Sequence, residues 1–288
     1  MNSNYKKDFL DAMAENGFMP AEEKDISYGV QLILSDGEND WKVRLFENAK
    51  GEHTIDTAGM MPERLMQAIG DFIVKSSDPL LPPPLIGSDE AGKGDWIGPL
   101  TVCALYADAD MYRKLAAAGV KDSKKLSGKK IEEFKDVITS ICPHYSVICL
   151  MPEAFNKLYG KHGNINVLLA AAHGEAIRSV YGKSGCTNVL IDRFADESRM
   201  ETELKGIGLS LHQHFRAEAN FAVAAASILA RYTYISRLNA LSQKYGLTLA
   251  PGAGDAADAA AAALAAKYGK ERLGEIVKLN YKNTMKVK

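Results

Sequence analysis

The chain has 288 residues, enough for a full hydrophobic core in one domain or two. Its 47% apolar and 25% charged composition is ordinary for a soluble globular protein, and a net charge of −1 advertises no general attraction for nucleic acid. The N-terminus lacks the apolar core of a secretory signal, and no apolar run reaches the roughly 18 residues needed to span a bilayer, so no membrane partner is expected.

Cys103, Cys142, Cys149 and Cys186 show no C-x-x-C spacing, so they read as buried thiols of a cytoplasmic protein, without zinc or disulfides. Charge is unevenly spread. Residues 113–135 carry eight Lys/Arg against three acids, and 267–288 carry seven against two, so cationic faces can hide in the neutral total.

In chain order, residues 5–15 have helical spacing. YGVQLILSDG and WKVRLFENAKG follow as strands joined around Asp36-Gly37, and MPERLMQAIGDFIV closes a small unit as a helix. On WKVRLF, Lys42 and Arg44, with Lys50 beyond, are candidates for phosphates, and Trp41 or Phe46 for sugars or bases. SSDPLLPPP, residues 76–84, cannot continue a helix and reads as a stiff linker. The expected domains are therefore 1–75, the linker 76–84, and 85–288.

Beyond the linker, strands PLIGSD, IGPLTVCALYAD, YSVICLM and TNVLID alternate with helices at KKIEEFKDVITSI, Ile165 to Tyr181 and Ala222 to Tyr245. That order predicts an α/β domain, a mixed sheet covered by helices. GDAADAAAAALAAKYG is a structural helix, with Asp255 placed as its N-cap.

IGSDEAGKGDWIGP, residues 86–99, carries the chemistry. Gly87, four residues, Gly92 and Lys93 nearly spell a P-loop, but Gly94 stands where that motif needs Ser or Thr, and Asp89 and Glu90 would repel a triphosphate. If the two acids hold Mg²⁺, acids and phosphate can share one site. Neighbours on a strand face opposite ways, so both reach one ion only where the strand ends or twists, and Ala91-Gly92-Lys93-Gly94 supplies that ending. VLID ends an apolar strand in Asp192, at the carboxyl edge where α/β sheets expose functional groups, although that stretch alone reads sooner as a helix cap; Glu218 stands about a turn before an alanine-rich helix, where a glutamate also suits the helix dipole. His212 and His214 have no nearby cysteine to complete a zinc set, and Trp96 suits substrate contact or core equally.

The ordered segments GSDEAGKGDWIGP, VKDSKKLS, VLIDRFAD, AEANFAVAAASILARY, PGAG and LNYKNT resemble type 2 ribonucleases H, most closely the bacterial ribonuclease HIII branch. The resemblance implies a ribonuclease H-like mixed sheet from about Leu85 onward. Before it, an N-terminal α+β domain would resemble the TATA-box-binding protein fold and increase substrate affinity. It implies an endoribonuclease that hydrolyses the RNA strand of an RNA/DNA hybrid duplex with Mg²⁺ or Mn²⁺, by a two-metal-ion mechanism leaving 5′-phosphate and 3′-hydroxyl ends. Asp89, Glu90, Asp192 and Glu218 map onto the metal-binding catalytic acids, and Gly92, Lys93 and Gly94 onto the element that reads 2′-hydroxyls through its backbone. Ser123 and Lys124 map onto substrate contacts.

Glutamate as the fourth acid and lysine between the glycines point to ribonuclease HIII rather than HII, where aspartate and arginine are usual. Two departures remove phosphate contacts: Asn220 and Pro251 stand where relatives often carry lysine. Four acids in a small space also predict raised carboxyl pKa values without metal. The rivals are ribonuclease HII-like cutting at a single ribonucleotide in duplex DNA and a hybrid-binding protein without catalysis. Nothing in the sequence calls for an obligate protein partner.

Overall fold

The computed structural model describes residues 3–77, 80–121, 126–194 and 197–287. Contacts divide the chain into a first unit, Met1–Pro79 with Ala109–Lys121, and a second, Leu80–Asp108 with Asp122–Lys288. The segment 109–121 thus groups with the N-terminal residues.

The first unit is α+β. Helix α1 (Ser3–Glu15) precedes an antiparallel sheet whose order follows the chain: β1 (Met19–Ile26), β2 (Gly29–Ser35), β3 (Asp40–Glu47) and β4 (His53–Ala58). Period-two alternation puts Val30, Leu32 and Leu34 of β2 beside Val43 and Leu45 of β3 on one buried face. Phe9 and Met13 of α1 and Leu65, Ile69 and Phe72 of α2 (Glu63–Lys75) cover that face, and Ala117 of α3 (Ala109–Ala117) joins the same core. Trp41, half-buried, packs edge-on against Phe18 on the core side. Lys42, Arg44 and Phe46 alternate with Val43 and Leu45 and share the other face.

The second unit holds the expected mixed sheet, in the order β7-β6-β5-β8-β9. Strands β5 (Leu85–Ala91), β6 (Leu100–Ala107) and β7 (Tyr145–Leu150) pair antiparallel. Strand β8 (Asn188–Asp192) joins β5 in parallel, and β9 (Ser210–His214) joins β8 in parallel. Between them the chain forms α4 (Gly128–Ile141), α5 (Pro152–His162), α6 (Ile165–Ser184) and α7 (Glu197–Glu203). Then come α8 (Phe221–Tyr245) and α9 (Asp255–Tyr268).

Central β5 is buried on both faces, and its alternation sorts the functional side chains. Gly87 lies against the first turn of α8, where a Cβ would sit 2.5 Å from backbone atoms of Ala222 and Val223. Ser88, one residue on, turns the other way, to His173 of α6. Asn220 caps α8 by accepting from the Ala222 N–H, and its amide donates to the Leu81 carbonyl at 3.1 Å. Being buried and so engaged, Asn220 is a structural cap. Asn188 donates likewise to the Pro84 carbonyl, which ties the end of the proline stretch to this unit.

The alanine-rich helix forms as expected and buries Ala257, Ala260, Ala261 and Leu264. Its N-cap is Gly254, with Asp255 as the first helical residue, so that carboxylate meets the helix dipole instead of capping an N–H. All four cysteines are free; Cys103 and Cys142 are buried, Cys149 and Cys186 half-buried. Among the described residues no helix is long and apolar enough to cross a membrane.

Candidate active site

Asp89 and Glu90 lie within β5, which runs on to Ala91, so the strand does not end at the pair. Asp89 is buried and accepts a hydrogen bond from Ser227 of α8. Glu90 is turned to His173 of α6, whose Nε2 is 3.3 Å from its Oε2, and to Lys93, whose Nζ is 3.5 Å from its Oε1. Asp192 ends β8, and its Oδ1 accepts from the Ala217 N–H at 3.0 Å. That bond ties the strand end to the short 3-10 helix Ala217–Ala219, which carries Glu218 directly before the α8 cap.

Electrostatics separates the two neighbours on β5. Burial, then the charge of Glu90, pushes the Asp89 carboxyl up to about 8; Asp192 adds to the rise, while hydrogen bonds from Ser227 and the Glu90 N–H oppose it. Burial acts on Glu90 in the same sense, but His173 and then Lys93 outweigh it and hold that carboxyl below its usual value. The expectation of raised carboxyls therefore holds for Asp89 and is corrected for Glu90, whose partners His173 and Lys93 the sequence did not place.

Among the described residues no three His, Cys, Asp or Glu side chains are grouped as they would be around an ion. The reason is local, since Glu90 points to Lys93 and His173, and Asp192 rests on a backbone N–H. The donors nevertheless suit a hard divalent cation, because they are carboxylate oxygens and Asp89 is a buried acid whose raised pKa a cation would relieve.

The glycine loop lies next to these acids. Gly92 has φ +84°, and a Cβ there would meet the Pro99 carbonyl at 2.3 Å and the Tyr234 ring at 2.8 Å. Gly94 has nothing within 4 Å of where a Cβ would stand, which leaves its backbone open to close approach. The C-terminal segment holds this loop. Tyr281 donates to the Lys93 carbonyl, Trp96 Nε1 to Thr284 Oγ1 at 3.1 Å, and Gly98 N–H to the Ile276 carbonyl at 2.8 Å. Buried Lys278 donates to the Asp95 carbonyl at 2.6 Å, and burial brings its ammonium down to about 7. LNYKNT thus straps the loop, and Trp96 is core.

Ser123 and Lys124 lie outside the described residues. His212 is bonded to Ser210 Oγ at 3.1 Å on β9, a local supporting contact. His173 escaped the sequence reading, since it is one ring on a helix whose other buried residues are small or apolar.

The family model for ribonuclease HII matches residues 86–284. Ribonuclease HIII of Protochlamydia amoebophila is 41% identical over 201 residues, 69% of this chain and 66% of that protein. Ribonuclease HIII of Bacillus cereus is 40% identical over 218 residues, 70% of this chain and 67% of that one. The chain belongs to the type 2 ribonuclease H family, in the ribonuclease HIII branch. The match spans about two thirds of the length of these ribonucleases HIII. The crystal structure of Bst ribonuclease HIII in complex with Mn²⁺ is similar over nearly the whole chain. Its TM-score is 0.67 at 26% identity, with 96% of this chain and 94% of that chain covered.

Proposed function

We propose that the protein is a metal-dependent endoribonuclease of the cytoplasm that hydrolyses the RNA strand of RNA/DNA hybrids, leaving 5′-phosphate and 3′-hydroxyl ends. Support comes from a buried acid, Asp89, pressed against the charges of Glu90 and Asp192 in a chain of the ribonuclease HIII branch. In this reading Asp89, Glu90, Asp192 and Glu218 hold Mg²⁺ or Mn²⁺, which when bound supplies an activated water and stabilises the departing 3′-oxygen.

The chain's own groups do the rest. Ser227 and the Glu90 N–H orient Asp89, and the Ala217 N–H orients Asp192. The Gly92-Lys93-Gly94 backbone, held by Tyr281 and open at Gly94, meets ribose 2′-hydroxyls, the groups that distinguish RNA from DNA. Ser123 and Lys124 contact the same substrate, and Lys42 and Arg44 give the first unit a second phosphate-binding surface.

Cleavage assays test this reading. With Mg²⁺ or Mn²⁺ the protein is expected to cut a hybrid with four or more consecutive ribonucleotides at least tenfold faster than a DNA duplex with one, and to cut neither in chelator. Equal or better cutting at the single ribonucleotide would favour the ribonuclease HII-like reading. Binding without cutting under every metal condition would leave only a hybrid-binding protein.

A further inference from the structure

His173 of α6 is fully buried, and both of its ring nitrogens are engaged. Ser88 Oγ donates to the Cys103 carbonyl at 2.8 Å. The same hydroxyl lies 2.8 Å from His173 Nδ1. Nε2 faces Glu90 Oε2 at 3.3 Å.

The ring is also fixed flat. Phe194, two residues past Asp192, stacks on it with centroids 4.9 Å apart and planes 10° from parallel. Lys93 closes the circuit, with Nζ 5.3 Å above the Phe194 ring, 3.2 Å from the Phe194 carbonyl and 3.5 Å from Glu90 Oε1. The two oxygens of Glu90 are therefore held by unlike partners. Oε2 meets an immobile imidazole locked between strand and helix, and Oε1 meets an ammonium on a long stem that is 34% exposed.

We propose that His173 is a positioning residue that pins Oε2 of Glu90 so that Oε1 is the oxygen presented to a divalent ion, with Lys93 as the place-holder that gives Oε1 up. This rests on the metal-binding reading of Glu90. A free glutamate must freeze several rotors when it takes an ion, and His173 does that freezing in advance. The ammonium of Lys93 neutralises the site beforehand and must leave Oε1 as the ion arrives.

The test is Mn²⁺ binding by the full chain without nucleic acid, followed by the electron paramagnetic resonance of free Mn²⁺, with thermal melting of metal-free protein alongside. In His173→Gln the amide nitrogen reaches the place of Nε2 and keeps the Glu90 contact. In His173→Asn it reaches only the place of Nδ1 and keeps the Ser88 contact. His173→Gln is expected within about threefold of wild-type affinity, and His173→Asn about tenfold or more weaker, at similar melting temperatures. Lys93→Met is expected to bind Mn²⁺ more tightly than wild type, a direction no loss of packing produces.

Equal affinity in the Asn and Gln variants, or weakening that follows the fall in melting temperature, would overturn the role of His173. Unchanged or weaker binding in Lys93→Met would overturn that of Lys93. If Asp89→Asn and wild type alike take up no Mn²⁺, the metal-site reading itself fails, and this inference fails with it.

Discussion

Asp89→Asn is expected to slow cleavage of an RNA/DNA hybrid by about a thousandfold or more, while affinity for the hybrid, measured in Ca²⁺, changes less than about threefold. The amide keeps the size of the carboxylate and an acceptor for Ser227, but it removes the charge that a divalent ion needs. Stability should move the other way. Burial and the charge of Glu90 push the folded carboxyl of Asp89 well above its ordinary 3.8, so its contribution is fully present below about pH 4 and is lost as pH rises through the raised value. The neutral amide suffers no such loss. In metal-free buffer at pH 8 the variant should therefore melt at or above the wild-type temperature, whereas at pH 4 the two should converge. A variant that cuts at the wild-type rate would remove Asp89 from the catalytic set; one that melts well below wild type at pH 8 would show the carboxylate to be a structural anchor.

Gly87→Ala tests the packing of α8 against β5. The new methyl would lie 2.5 Å from the Ala222 carbonyl carbon and the Val223 nitrogen, and 2.8 Å from the Ala222 oxygen. All are backbone atoms in the first turn of α8 and cannot swing aside. The helix must back away from β5, at an expected cost of about 2–4 kcal/mol in urea unfolding. Because α8 carries Ser227 and follows directly on Glu218, the same shift should lower the cleavage rate of whatever protein still folds. Gly94→Ala is the control, since its position is open, and unfolding should change by less than about 0.5 kcal/mol. A Gly87→Ala protein as stable as wild type would mean that α8 does not rest on β5 at this point.

The catalytic-domain architecture was legible because β5, β6 and β8 are apolar enough to read as buried strands, and their alternation with helices implies a mixed sheet. Other elements carry no such signal. Strand β1, MPAEEKDI, is exposed at every position except its last, half-buried residue, so hydrophobic alternation never marks it. Strand β9 is equally polar, and α3, ADMYRKLAA, is short. Where alternation does exist, as in WKVRLF, it divides the faces but does not say which is core; Trp41 went inward and Phe46 to the other side.

The candidate site divides in the same way. Taken singly, each acid sits in an ambiguous local string, and only the order of the separated segments, through the family resemblance, singled out Asp89, Glu90, Asp192 and Glu218 as candidates. Their surroundings could not be named, since those come from remote parts of the chain. His173 meets a serine 85 residues away and Tyr281 a carbonyl 188 residues away. Strand β5 stops at Ala91, where the glycine turn was expected to stop it. With both acids inside the strand, Asp89 faces α8 and Glu90 faces α6, and their opposite pKa shifts follow from that split.

The central claim is that Asp89, Glu90, Asp192 and Glu218 jointly hold divalent ions against a hybrid substrate. A crystal structure with Mn²⁺ and a short RNA/DNA hybrid, the ions located by anomalous scattering, tests it most directly. The predicted result is Mn²⁺ between these four carboxylates, with oxygens from each within about 2.1–2.5 Å of an ion or bridged to it by one water, and Lys93 withdrawn from Glu90. Ions bound elsewhere, or any of the four carboxylates left out of reach with the hybrid in place, would contradict it.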